Sequence, residues 1–121
     1  MVQDAKRGLP NEACGLLAGQ TGIATTFYSM KNMDQNPESY LMDPKEQFQV
    51  MKQMRSKREE MLVVYHSHVA SQAYPSTKDV GFAFYPEVHY VIVSLTDRER
   101  PTARAFRIEE GNVREEPITI V

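Results

Sequence analysis

The segment VVYHSHVASQAYPSTKDV, residues 63–80, holds the residue types from which a metal centre can be made. His66 and His68 stand one residue apart at the end of an apolar run. Ser76 and Asp79 follow after a short loop, three residues apart. On a β-strand, side chains at i and i+2 project from one face, so the two imidazoles would leave a strand end together. Asp79 would fall in the first turn of a helix opened by Ser76. Two ring nitrogens and one carboxylate oxygen leave a fourth tetrahedral position of Zn²⁺ open, as in a catalytic centre; a structural centre takes a fourth protein ligand. A structural reading uses the same residues. Ser76 and Asp79 also have the spacing of an ordinary cap at a helix start, and a His-x-His pair can simply face solvent. By residue type alone, both readings stand.

The elements that must carry these residues follow from periodicity and turn chemistry. Residues 2–8 read as a short helix ended before Pro10. ACGLLAG (13–19) and IATTFYSM (23–30) read as a strand hairpin around Gly19 to Gly22, and NMDQNPES (32–39) as a loop. A helix begins at Asp43 as N-cap, with Pro44 in its first position and Glu46 completing a capping box. Its apolar stripe is expected at Phe48, Met51 and the stem of Arg55, with Val50 and Met54 beside it. MLVVYHSH (61–68) returns to strand character, and Ser76 opens a short helix expected to run through Phe84. HYVIVSL (89–95) reads as a buried strand and TARAFRI (102–108) as a half-exposed one. A last strand is expected around Ile118 to Val121 after a turn at Gly111–Asn112. The strands are joined by connections short enough for a largely antiparallel sheet in one mixed α/β domain.

The remaining candidates have plainer readings. Cys14 reads as a buried strand thiol and His89 as a structural histidine opening its strand. Phe82, Phe84 and Phe106 read as core, and Tyr74, in the loop between ligands, can line a cleft. Ser67 points away from its flanking histidines and reads as support for them.

Composition narrows the partners. The chain has 121 residues, a length that suits one domain. Net charge is −2, with Lys and Arg scattered, so nothing favours nucleic acid or an anionic membrane. The single cysteine, Cys14, excludes an internal disulfide. The polar start MVQDAKRGLP lacks the apolar stretch of a signal peptide, and no run reaches membrane-spanning length. The expected location is the cytoplasm.

His66-Ser67-His68, seven residues, Ser76, two residues and Asp79 together resemble the signature of the JAMM (MPN) zinc metalloproteases. LPNEACGLLAG resembles the upstream segment of that family and puts Glu12 at its glutamate; YLMDP, YPS, YVIVSL and AFRIEEG resemble the short bacterial members. The resemblance implies a single-domain MPN/JAMM fold over residues 1–121, a mixed, largely antiparallel curved sheet flanked by helices in a cytidine-deaminase-like layout. It implies one Zn²⁺ held by His66, His68 and Asp79. It also makes Glu12 the proton carrier, a choice that residue types alone leave open among the glutamates, and gives Ser76 the substrate carbonyl oxygen to hydrogen-bond. The implied substrate is a ubiquitin-like sulfur-carrier protein, cut after its C-terminal glycines. The alternative is a non-catalytic MPN scaffold, from which the metal ligands would be missing. A deaminase is excluded, because its Cys-rich signature needs more than one cysteine. The chain departs from the family pattern at Val69, commonly proline, and has only eleven residues ahead of Glu12, without the usual first strand. An exposed sheet edge there would allow a homodimer.

Overall fold

Two tight turns organise the sheet. Thr21 and Gly22 have φ of 54° and 78°, and Glu110 and Gly111 have φ of 51° and 80°. Two consecutive residues with positive φ form the hairpin turn whose twist matches its strands, and glycine takes such a φ without steric cost. The computed structural model describes residues 1–120. Its elements are α1 (Val2–Gly8), β1 (Cys14–Gln20), β2 (Ile23–Met30), α2 (Pro44–Ser56), β3 (Glu60–His68), α3 (Thr77–Gly81), β4 (His89–Ser94), β5 (Thr102–Glu109) and β6 (Asn112–Glu116).

The six strands form one sheet in the order β2-β1-β3-β4-β5-β6. Every neighbouring pair is antiparallel except β3–β4, which is parallel. A parallel pair needs a crossover connection, and that crossover, residues 69–88, carries α3. β1 is pinned closely at its turn. A methyl group on Gly19 would run into the carbonyl oxygen of Ile23, where β1 and β2 shift register.

Each face of the sheet is covered. On one, Cys14, Leu16, Val64, Ile92 and Phe106 pack with Val50 and Met54 of α2. On the other, Tyr65, Val91, Val93 and Leu95 pack with Ala5 of α1. The i, i+2 alternation along β3 therefore sends Val64 and His66 to the α2 side and Val63 and Tyr65 to the α1 side.

Four expectations need correction. The buried stripe of α2 is Val50 and Met54, while Phe48 is 62% exposed beneath the ammonium of Lys52. Glu46 does not close a capping box: it accepts from the Lys31 N–H at 2.8 Å, while Asp43 alone caps Lys45. α3 ends at Gly81 rather than Phe84, leaving Phe82 and Phe84 58% and 70% exposed, in edge-to-face contact rather than core. The last strand is Asn112–Glu116, because the tight turn at Glu110–Gly111 commits the very next residues to pair with β5. Residues 117–120 form no strand, and Val121 lies outside the described residues.

Candidate metal centre

β3 ends in the buried run His66, Ser67 and His68. Ser67 faces the other way from the histidines and holds β1 in place. Its hydroxyl accepts from the Ala13 N–H at 2.8 Å, and its own N–H donates to the Ala13 carbonyl at 2.9 Å. The supporting role read from the alternation matches this geometry.

Across the crossover, α3 presents Asp79. The Ser76 hydroxyl accepts from the Asp79 N–H at 3.1 Å, and Asp79 Oδ2 accepts from the Ser76 N–H at 2.9 Å. This reciprocal capping box leaves the same Oδ2 aimed at the histidines, 3.1 Å from His66 Nε2 and 3.0 Å from His68 Nε2. The two Nε2 atoms are 3.2 Å apart. Helix cap and candidate ligand are thus one arrangement, since the cap locks the carboxylate that faces the imidazoles.

The donor set fits a tetrahedral cation. Ligand atoms about 2.0–2.2 Å from zinc stand ~3.3–3.5 Å apart at tetrahedral corners, close to the three separations observed. His68 Nδ1 lies 2.9 Å from the Gln72 carbonyl, which can only accept, so Nδ1 carries a hydrogen and, in the neutral ring, Nε2 turns a lone pair toward Asp79. Such a lone pair facing a carboxylate at that distance takes up a positive charge between them, either a proton shared with Asp79 or a metal ion. Burial pulls the His68 pKa down, but its bonds with Asp79 and Gln72 outweigh this and raise it. Burial lowers that of His66, favouring the neutral ligand form. Burial would raise Asp79, yet the two histidines and the Ser76 N–H hold it well below the usual carboxylate range.

Glu12 arrives from the far end of the sequence. Cys14 pairs with His66 in the antiparallel register and the Ser67 N–H still bonds the Ala13 carbonyl, which brings Glu12 to the end of β3, where His68 and Asp79 act on its carboxyl. Glu12 is 4% exposed, and its Oε1 has no hydrogen-bond partner among the described residues. Burial pushes its pKa up to about 8, with His68 pulling down and Asp79 pushing up.

A groove of about 420 Å³ opens beside Asp79, walled mainly by apolar groups including Tyr40, Met42, Phe82, Phe84 and Tyr90. Tyr74 is not among its walls: that ring packs edge-on against Phe106. His89 bonds Glu116 at 2.7 Å rather than joining His66, His68 and Asp79, and Cys14 is fully buried. Sequence reasoning missed Tyr40, whose ring stacks on His66 with centroids 4.5 Å apart. It also missed Asn32 and the Gln72 carbonyl. Tyr40 sits in the quoted YLMDP stretch, the one signal that could have drawn attention to it.

The sheet, the crossover helix and the His-His-Asp cluster define an α/β domain of the JAB type. Residues 1–109 match the family described as prokaryotic homologs of the JAB domain, and the chain belongs to that family. It is 43% identical to the CysO-cysteine peptidase of Mycobacterium tuberculosis over 123 residues, covering 100% of this chain and 84% of that one. It is 33% identical over 106 residues to a Thermus thermophilus protein named "Probable TtuB-protein conjugate cleaving protease", covering 87% of this chain and 67% of the relative. The solution structure of DSY2949 from Desulfitobacterium hafniense superposes with a TM-score of 0.89 at 41% identity, over 98% of this chain and 84% of that one.

Proposed function

We propose that the protein is a zinc-dependent peptidase or isopeptidase. It hydrolyses the bond after the C-terminal glycines of a ubiquitin-like sulfur-carrier protein, in the cytoplasm. The observation that carries this reading is the convergence of His66 Nε2, His68 Nε2 and Asp79 Oδ2 within 3.0–3.2 Å of one another, beside a buried Glu12 whose Oε1 has no partner among the described residues. Family membership and the names of two relatives, a CysO-cysteine peptidase and a probable TtuB-protein conjugate cleaving protease, support the substrate class.

His66, His68 and Asp79 would hold the metal. When bound, zinc supplies a Lewis acid and a water acidic enough to attack near neutral pH. Glu12 takes a proton from the attacking water as its oxygen bonds to the carbonyl carbon. Burial suits it to that task, because a carboxyl that binds its proton near neutrality can both accept and return it. As the carbon–nitrogen bond breaks, Glu12 delivers the proton to the leaving amine. The Ser76 hydroxyl accepts from the Asp79 N–H, so its own hydrogen is free to donate to the carbonyl oxygen as charge develops there. The groove beside Asp79 takes the extended carrier tail.

The scaffold reading has no support from the ligand set, which is complete. Elemental mass spectrometry of wild type and His68→Ala, together with cleavage of a glycine-ended carrier extension, tests the proposal. About one zinc per chain and cleavage are expected, with both lost in the variant. A zinc-loaded wild type that leaves every such extension uncut would remove the substrate assignment.

A further inference from the structure

The loop between β2 and α2 is held by one amide whose hydrogen-bonding capacity is fully used. Asn32 Nδ2 donates to the Glu12 carbonyl at 2.9 Å and to the Ser39 carbonyl at 3.0 Å. Its Oδ1 accepts from the N–H groups of Asp34 and Leu41, each at 3.0 Å. An asparagine side chain offers two donor hydrogens and two acceptor lone pairs, so all four are occupied. The partners are not a random set. One is the backbone of Glu12. Two others, Ser39 and Leu41, flank Tyr40 on either side.

Tyr40 lies over His66, with ring centroids 4.5 Å apart and planes 23° from parallel. The two histidines are oriented by different means. His68 is fixed by its Nδ1 bond to the Gln72 carbonyl. His66 Nδ1 is buried with no partner among the described residues, so no hydrogen bond at that nitrogen sets its ring. A metal-bound histidine ordinarily takes its orientation from such a bond. Here the ring is held at Nε2 by Asp79 and across its flat face by Tyr40.

We propose that Asn32 is a positioning residue for the metal centre, setting the Glu12 backbone and the Tyr40 ring together so that the proton carrier and the His66 ligand are placed by one side chain. This rests on the metallopeptidase reading, but its test reads metal binding directly. The measurement is the zinc dissociation constant, by competition with a chromophoric chelator, for wild type, Asn32→Asp, Tyr40→Phe and Tyr40→Leu. Asn32→Asp keeps the shape and both acceptors but turns a carboxylate oxygen toward the carbonyls of Glu12 and Ser39. Asn32→Asp and Tyr40→Leu are expected to weaken zinc about 10- to 100-fold, with Tyr40→Phe within about twofold of wild type because the ring remains. Should Asn32→Asp fail to fold, the two Tyr40 variants decide. Wild-type affinity in Asn32→Asp or in Tyr40→Leu would overturn the proposal, as would a loss in Tyr40→Phe equal to that in Tyr40→Leu. Zinc binding by the wild type in those cases would leave the peptidase reading intact, whereas a wild type that takes up no zinc would remove both.

Discussion

Glu12→Gln in the metal-free protein gives the sharpest test of the buried carboxyl. The substitution keeps shape and burial and removes only the ionisation. Glu12 is 4% exposed, and its pKa rises from 4.5 to about 8, chiefly through burial. In the unfolded chain the carboxyl loses its proton near 4.5, while in the folded chain it keeps it until about 8. The folded state therefore binds more protons within that window, so stability is full below pH 4.5, drains as pH rises, and stops falling above 8. Each pH unit inside the window costs about 1.4 kcal/mol. From pH 5 to 8, wild type should lose about 3 kcal/mol relative to the Gln variant, allowing for partial ionisation at both ends. Urea unfolding of both proteins at pH 5, 6, 7 and 8, with a chelator present, measures it. Subtracting the curves largely cancels the histidines and Asp79, common to both. Added zinc should narrow the gap, because a cation favours the ionised carboxyl. Parallel stability profiles for the two proteins would refute the reasoning and leave Glu12 as an ordinary, solvated carboxylate.

Three further outcomes are expected. Ser67→Ala strands the buried Ala13 N–H and should cost about 1–3 kcal/mol in urea unfolding, with cleavage reduced because Ala13 adjoins Glu12. Ser76→Ala removes the acceptor of the Asp79 N–H and should cost about 1 kcal/mol. Its kcat should fall about 10²–10³-fold, and an unchanged kcat would take the hydroxyl out of the reaction. Gly19→Ala drives a methyl into the Ile23 carbonyl and should lower stability by about 1–3 kcal/mol, read as a drop in Tm; an unshifted Tm would mean that the hairpin absorbs it.

What could be read from the sequence was local. The β1–β2 hairpin, the strand bearing His66 and His68, and the Ser76–Asp79 helix start each depend on residues a few positions apart, and each formed as expected. The choice of Glu12 came from the family pattern, since only the β1–β3 register, a long-range fact, brings it to the end of β3. α2 misled because its apolar residues are few and spread round the helix, so which side is buried depends on where the sheet lies; Val50 and Met54 won over Phe48. Phe82 and Phe84 read as core by type, but α3 is too short to turn them inward, and they wall the groove instead. Asn32 was unreadable because its four partners are brought to it by tertiary structure. The ITIV run drew the final strand too late, although the two-residue turn had already decided the pairing.

The proposed ligands and the proposed proton carrier differ in how much chain must close to join them. His66 and Asp79 are 13 residues apart, within one strand and the crossover that follows it. Glu12 reaches the site only when β1 pairs with β3, a closure spanning 54 residues between Ala13 and Ser67. Loop-closure entropy grows with the logarithm of length, so the longer closure costs only about 1 kcal/mol more, but it needs the whole intervening hairpin and α2 to be in place. A chain folded only through β3 and α3 already carries all three of the proposed metal ligands. In the proposed mechanism it lacks its proton carrier until β1 docks, so hydrolysis by that route awaits the assembled sheet.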